Sequence, residues 1–180
     1  MRACLDACVL FPTVLREVLT GLAARGLYQP IWSERILEEW ARATVKLGPE
    51  AEMQARGEVA VLQAHFPQAL VRPRDRDLAR LHLPDENDIH VLAAAIEGSA
   101  DVIVTLNAKD FPRQSLAIEG VQRLSPDEFL IGLWLEAPDD VAGVARDVHR
   151  VAVDMMGEEI ALRSLMKRAR LPRLGKALSS

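Results

Sequence analysis

Short apolar runs alternate with longer amphipathic segments along most of this chain. Five runs have the length and composition of strands, and they cover residues 2–6, 30–32, 69–73, 101–106 and 121–124. Helical periodicity between these runs predicts helices over residues 13–25, 33–47, 49–65, 86–97 and 126–135. Strands that alternate with helices at this spacing are typical of βα units around a parallel sheet. We therefore predict a three-layer α/β domain, in which a parallel sheet of four or five strands has helices on both faces.

The most apolar part of the chain is the segment LPDENDIHVLAAAIEGSADVIVTLNAKDFP, residues 83–112. Its VIVTL stretch lacks alternating polar residues, as expected of a strand that is covered on both faces. Carboxylates stand at both edges of the segment, with Asp85, Glu86 and Asp88 before the helix and Asp110 after the strand. The pattern predicts a buried helix and strand whose ends carry negative charge.

Composition fits one well-buried domain with a small appendage. The chain has 180 residues, of which 49% are hydrophobic and 27% are charged, as in an ordinary globular protein. No apolar stretch reaches the length of a membrane span, and Arg2 and Asp6 fit a secretory signal poorly. We therefore expect a cytoplasmic protein with no membrane partner. Cys4 and Cys8 are expected to be small buried hydrophobes, because a disulfide between them is geometrically unfavourable and no histidine is near.

Charge is distributed unevenly on the two sides of Pro138. Residues 1–140 carry 14 basic and 22 acidic side chains, whereas residues 141–180 carry eight basic and four acidic ones. Helical patterns follow Pro138, so we predict a first domain over residues 1–136 and a basic helical extension over residues 137–180.

Four cations of this extension recur at spacings of three and four: Arg163, Lys167, Arg170 and Arg173. Such spacing predicts that most of them share one face of a helix. A basic face beside an acidic domain indicates contact with a polyanion or an acidic partner protein. Two alternatives remain open, a solvated helix face and a pair of helices through which the chain forms a homodimer.

Several acids fall where a parallel sheet gathers its ligands, beyond the carboxyl ends of the strands. Asp6 ends the first strand, and Asn107 and Asp110 follow the strand at 101–106. Asp88 opens the preceding helix and reaches the same edge if that helix runs antiparallel to the strands. Helix capping explains Asp85 equally well. Asp6 stands between apolar residues, where an unpaired buried charge is costly.

The helix in SERILEEWARA supplies a further acid. Glu38 and Glu39 flank its apolar stripe almost symmetrically, so periodicity leaves both residues open. Arg42 stands four residues after Glu38, which is the favoured orientation for a helical ion pair, whereas Glu39 has Arg35 behind it. Glu39 is therefore the acid that is freer to point into a site.

Carboxylates that converge at one edge require compensation. Two unit charges about 4 Å apart repel by about 4 kcal/mol at an effective dielectric constant near 20. Either some of the acids stay protonated or a divalent cation binds. Oxygen ligands without cysteine or paired histidine favour Mg²⁺ or Mn²⁺.

Three blocks of the sequence, LDACVLFP, SERILEEW and DENDIHVLAAAI…ADVIVTLNAKDFP, resemble the PIN-domain nucleases, particularly the VapC-type toxins of toxin–antitoxin systems. The resemblance covers about residues 2–130. It implies a site that contains the following acids: Asp6, Glu39, Asp88 and Asp110 as catalytic metal ligands, with Asp85 as an additional ligand. Thr105 matches a small polar residue beside the ligands, and Asn107 departs from the aspartate that many members have there.

The resemblance also implies an activity and partners. The expected activity is that of an RNA endonuclease, in which water activated by Mg²⁺ or Mn²⁺ hydrolyses the phosphodiester. RNA and a cognate antitoxin are the expected partners, and the four cations of the extension would contact one of them.

Other classes of function fit the residues less well. A non-catalytic module that binds RNA or a partner through the same acids is the alternative. A phosphatase with an aspartyl nucleophile normally needs a second aspartate two residues after the first, and Cys8 stands at that position. The four histidines form no recognisable dyad or triad. His90 could face the site from the start of its helix, but an exposed helical residue is the expectation.

Overall fold

The computed structural model describes residues 1–179, in which five short strands form one parallel sheet. The strands are β1 (Arg2–Leu5), β2 (Gln29–Ser33), β3 (Leu70–Val71), β4 (Val102–Val104) and β5 (Gln122–Leu124). Their order across the sheet is β3-β2-β1-β4-β5, and every neighbouring pair is parallel. The predicted parallel α/β architecture is confirmed.

Helices connect the strands and follow the last of them. They are α1 (Ala7–Leu10), α2 (Thr13–Ala24), α3 (Glu34–Ala43), α4 (Pro49–His65), α5 (Asp75–Arg80), α6 (Ile89–Glu97), α7 (Arg113–Ile118), α8 (Pro126–Glu136), α9 (Pro138–Met156), α10 (Leu162–Arg168) and α11 (Pro172–Ala177). Short 3₁₀ turns stand at Thr44–Leu47, Glu86–Asp88 and Ala108–Asp110. None of the helices in the described part of the chain combines the length and the apolar character that a bilayer crossing requires.

The central strands of the sheet are shielded from solvent on both faces. The side chains of β1 from Ala3 to Leu5, and those of β4 from Val102 to Val104, are at most 2% exposed. The helix α6 packs against β1, β2 and β4, and its residues 90–95 are all buried. Alanines at 93–95 allow this helix to lie close to the sheet. The apolar strand β4 and the apolar middle of α6 explain why the 83–112 segment carries most of its charges near the ends of these elements.

The last three helices pack onto the same core. In α9, Val144 lies 2.8 Å from the point that a Cβ on Gly21 of α2 would occupy, so glycine permits the close approach of these helices. The carboxylate of Asp127, near the start of α8, accepts hydrogen bonds from the backbone amides of Arg173 and Leu174, each at 3.0 Å. These contacts satisfy two amides that the first turn of α11 would otherwise leave unpaired. The division of the chain at residue 136 stays a prediction.

The arrangement of the four tail cations differs from the prediction. Arg163 and Lys167 lie in α10, which ends at Arg168, whereas Arg170 has a left-handed φ of 62° and Arg173 belongs to α11. The prediction of one continuous helix face is therefore wrong. Its cause is Pro172, which lacks a backbone N–H and disfavours helical geometry in the residue before it, so that one helix ends and another begins.

Candidate metal centre

Four aspartates meet at the carboxyl edge of the sheet. Asp6 follows β1, Asp110 closes the 3₁₀ turn after β4, and Asp85 and Asp88 border the turn that opens α6. Asp85, Asp88 and Asp110 each offer a carboxylate oxygen within 4.8 Å of the other two. Burial, together with the negative charges of Asp6, Asp85 and Asp110, raises the pKa of Asp88 to about 6. We call these four residues the acid cluster.

One oxygen of the acid cluster lacks any partner. The Oδ2 atom of Asp88 is buried and accepts no hydrogen bond from the described residues. A buried carboxylate oxygen in this state is costly because it has lost its water without gaining a donor. A cation beside Asp88 would remove that cost, and an all-oxygen donor set suits Mg²⁺ or Mn²⁺. The residues present therefore fit a hard divalent cation.

The carboxylate of Asp6 is held by two side-chain donors. Asp6 is 6% exposed, and its Oδ2 accepts hydrogen bonds from the Thr105 hydroxyl at 2.8 Å and the Cys8 thiol at 3.2 Å. The backbone amide of Leu106 donates to the Cys8 sulfur at 3.3 Å, and that of Asn107 donates to the Thr105 oxygen at 3.0 Å. Both side-chain donors bind Oδ2, so Oδ1 is left available to a ligand.

Cys8 has a polar role that the sequence did not indicate. Burial and the charge of Asp6 raise the pKa of the Cys8 thiol to about 12, so the thiol keeps its proton at neutral pH and donates it in the bond to Asp6. The prediction of a buried hydrophobe describes Cys4, which is fully buried in β1, better than Cys8, which is half-buried. Nothing in the spacing of the two cysteines distinguishes them.

Hydrogen bonds from Asn107 and Arg123 hold the turn that carries Asp110. The side-chain amide of Asn107 donates a short hydrogen bond to Oδ2 of Asp110. Arg123 of β5 donates to the backbone oxygens of Ala108 and Phe111, the latter at 3.3 Å. The role of Arg123 could not be read from the sequence, since it depends on the pairing of β4 with β5. Asn107 thus orients Asp110 within the acid cluster.

Asp85 caps a turn and also belongs to the group of close carboxylates, and its role as a metal ligand stays a prediction. Its Oδ1 accepts hydrogen bonds from the backbone amide of Asn87 at 2.9 Å and from the Asn87 side chain at 3.0 Å, so it caps the turn before α6. It is also a member of the three-carboxylate group with Asp88 and Asp110. Capping therefore fixes the position of a carboxylate that borders the candidate centre.

Glu39 lies beside the acid cluster, on the far side of a histidine. Its Oε1 is 2.8 Å from Nε2 of His90 and 3.2 Å from Nε of Arg35. Burial acts to raise the pKa of Glu39. The contacts with His90 and Arg35 outweigh burial and hold that pKa below its ordinary value. The three-carboxylate group does not include Glu39, and a role for it as a direct ligand stays a prediction.

The expected exposure of His90 is wrong, because its side chain is only 3% exposed. The segment HVLAAAI has almost no polar residues, and a helix that is apolar all round is buried all round. That pattern could have indicated a buried histidine. The charge of His90 also partly offsets the rise in the pKa of Asp88, so the ring is electrostatically coupled to the cluster.

Glu38 points into a different environment. Its carboxylate pairs with Arg42 at 2.8 Å and with Arg56 of α4 at 2.7 Å. Hydrogen bonds from Arg56 and Arg42 lower the pKa of Glu38 to about 2. The ion pair that the sequence predicted between Glu38 and Arg42 is present, and it keeps Glu38 out of the acid cluster.

Comparisons with known proteins agree with this architecture. A family model described as a PIN domain matches residues 2–109. A stretch of 44 residues is 50% identical to a Mycobacterium tuberculosis (strain ATCC 25618 / H37Rv) protein named "Putative ribonuclease VapC50", and it covers 24% of this chain and 26% of that protein. The match thus spans about a quarter of the relative's length. No solved structure gives a significant match. Because the family model covers more than half of the chain, this protein belongs to the PIN-domain family.

Proposed function

We propose that the protein is a divalent-metal-dependent RNA endonuclease and that it is the toxin of a toxin–antitoxin pair. The observation that carries the proposal is the unpartnered, buried Oδ2 of Asp88 within a cluster of four aspartates. A group of negative charges without a cation opposes folding, through mutual repulsion and through the unpaired buried oxygen of Asp88. Membership in the PIN family, and the similarity of a short segment to a protein named as a ribonuclease, support RNA as the substrate.

The proposed ligands of Mg²⁺ or Mn²⁺ are residues of the acid cluster and its neighbour: Asp6, Asp85, Asp88 and Asp110, with Glu39 at the outer side. When bound, the cation would supply a Lewis acid for the phosphate and a nucleophilic water. Hydrolysis needs in addition that each carboxylate be held in a fixed position.

The side chains around the cluster supply that rigidity. Thr105 and Cys8 donate hydrogen bonds to one oxygen of Asp6, which fixes the orientation of its carboxylate. Asn107 does the same for Asp110. Burial and the neighbouring acids raise the pKa of Asp88 to about 6, so a cation beside this carboxylate would relieve both the repulsion and the loss of water.

The expected partners are an RNA substrate and a cognate antitoxin protein. The negative charge of the acid cluster repels RNA phosphates, so affinity for RNA requires cations elsewhere on the protein surface. Arg163, Lys167, Arg170 and Arg173 are exposed and are candidates for contact with RNA or the antitoxin.

A cleavage assay tests the proposed function. Purified protein is incubated with RNA in Mg²⁺, in Mn²⁺ and in EDTA, beside the variants Asp88→Asn and Asp154→Asn. Asp154 is an exposed acid of α9, so its variant makes the same chemical change away from the site. The wild-type protein and Asp154→Asn are expected to cleave RNA with either metal. Cleavage should be lost in EDTA for both proteins, and Asp88→Asn should not cleave under any condition. Full cleavage in EDTA would refute the metal-dependent activity, and RNA binding without cleavage would favour the non-catalytic module.

A further inference from the structure

Two exposed arginines from distant parts of the chain lie near one carboxylate at the carboxyl edge of the sheet. Arg113 is the first residue of α7, and Arg173 is the second residue of α11. Hydrogen bonds within the Ser125 cap lower the pKa of Glu128, and the charges of Arg113 and Arg173 lower it further. Both guanidinium groups therefore lie within electrostatic reach of Glu128.

The acids next to these arginines are already engaged. Glu128 accepts hydrogen bonds from the amide and the hydroxyl of Ser125, both at 2.9 Å, in the capping box of α8. Asp127 binds the backbone amides of Arg173 and Leu174, which fixes the start of α11 without using the Arg173 guanidinium. Within residues 1–179, neither Arg113 nor Arg173 forms an ion pair. Their positive charges therefore face solvent.

The position of the two arginines is set by the sheet. The amide of Asp6 donates to the oxygen of Val104, and the amide of Thr105 donates to the oxygen of Leu124. Leu124 of β5 therefore lies about one strand spacing, roughly 4.8 Å, from the end of β4, next to Thr105, which holds Asp6, and α8 begins two residues after Leu124. Arg113 follows Asp110 by three residues, on a helix that packs against β5. Both arginines thus stand at the same edge of the sheet as the acid cluster, on its β5 side.

We infer that Arg113 and Arg173 form a phosphate-binding rim on the β5 side of the acid cluster, where they hold the RNA strand on one side of the scissile bond. The inference rests on the proposed function and deepens it, since it assigns the electrostatic contact that an acidic site needs. Arginine suits this role because its planar guanidinium binds two phosphate oxygens at once. The rim also gives the C-terminal extension a specific use, through Arg173 rather than through its total charge.

The test measures RNA affinity against salt in the full chain. Asp88→Asn is present in every protein, so that a labelled single-stranded RNA stays intact during fluorescence anisotropy in Mg²⁺. The rim variant is Arg113→Gln with Arg173→Gln. The matched control is Arg146→Gln with Arg150→Gln, which removes the same charge from α9, a helix of the same extension for which no RNA contact is proposed. All four positions are exposed, and circular dichroism verifies that each protein is folded.

Loss of a phosphate contact lowers the slope of log affinity against log salt by about 0.7 for a single strand, so the rim variant should lose about 1.4. Its affinity at low salt should fall roughly tenfold, whereas the control should change by less than about twofold. An unchanged slope in the rim variant would overturn the inference, as would an equal loss in the control, which would indicate general attraction by the extension. Absence of RNA binding by the parent would overturn it as well.

Failure of the rim and failure of the proposed activity give different results. If the wild-type protein cleaves RNA in Mg²⁺ but the rim variant keeps its slope, the activity stands and the rim is wrong. If no RNA is cleaved but the slope falls only in the rim variant, the surface binds RNA and the catalytic proposal is wrong.

Discussion

Two groups of carboxylates in this molecule have opposite electrostatic states. On α3 and α4, Glu38 is bound by Arg42 and Arg56, and these contacts lower its pKa to about 2. In the acid cluster, burial and neighbouring acids raise the pKa of Asp88 to about 6, and its Oδ2 has no partner. The first group neutralises itself in pairs, as surface charges usually do. The second keeps its carboxylates together without an ion pair to any described residue, which is the arrangement expected of a site that binds a cation.

The largest difference is expected in catalysis. Asp88→Asn should lower RNA cleavage by more than about a hundredfold, because loss of even an outer-shell partner of a metal costs about 10–100-fold. Glu38→Gln should leave the cleavage rate unchanged. Single-turnover cleavage of a labelled RNA measures both variants. Equal activities in the two variants would remove the distinction between the two groups of acids.

The next effect concerns the metal itself. A ligand that binds only the folded state at a hundredfold excess over its Kd stabilises a protein by about 2.7 kcal/mol. Mn²⁺ should therefore raise the Tm of the wild-type protein and of Glu38→Gln, and should leave that of Asp88→Asn nearly unchanged. Thermal unfolding with Mn²⁺ and with EDTA provides the measurement. A shift of the same size in all three proteins would mean that the metal binds elsewhere.

Without metal, the order of stability should reverse. The pKa of Asp88 is about 6 in the folded protein, above the ordinary value of 3.8, so its ionisation opposes folding. The penalty is absent below the unfolded pKa and is complete above the folded one. In EDTA at pH 8, Asp88→Asn should therefore be more stable than the wild-type protein, by on the order of 1 kcal/mol once solvent screening is allowed for. Near pH 4 the difference should vanish.

Chemical denaturation at the two pH values in EDTA measures this free energy. A wild-type protein that is the more stable one at pH 8 would show that the negative charge of Asp88 is compensated without metal.

The smallest effect is expected at Glu38. Its folded pKa of about 2 lies below the ordinary value of 4.5, so its ionised form stabilises the fold above the unfolded pKa, and that contribution is lost as pH falls toward 2. Because the carboxylate is exposed, salt screens the contribution. Glu38→Gln should therefore lower stability slightly at neutral pH in dilute buffer and not at all in molar salt. A loss that persists in high salt would point to a packing role instead.

The long elements of the fold could be predicted, because their periodicity extends over several turns or over a fully apolar strand. The helices α2, α4 and α8 begin and end within two residues of the prediction. The short helices α1, α5 and α7 could not be predicted, since four to six residues carry too little periodicity. The tail was misread because cation spacing was followed across Pro172, where backbone geometry ends the helix.

The candidate site was predictable to the extent that topology alone determines it. Residues that follow parallel strands share one edge, and this rule identified Asp6 and Asp110 from sequence. Glu38 forms the ion pair with Arg42 that the sequence predicted, whereas the choice of Glu39 as a site residue stays a prediction. Cys8 and Arg123 were missed because their contacts depend on side-chain direction and strand pairing, which periodicity does not encode.

The location of a bound metal tests the central claim most directly. Crystals grown with Mn²⁺, with diffraction data collected at the manganese absorption edge, would show the ion by its anomalous scattering. One strong peak is expected within coordinating distance of the carboxylates of Asp88 and Asp110, with Asp6 or Asp85 beside it. A crystal grown in saturating Mn²⁺ that shows no peak at these residues would contradict the assignment of the acid cluster as the metal site. A peak at the ion pairs of Glu38 with Arg42 and Arg56 would contradict it as well.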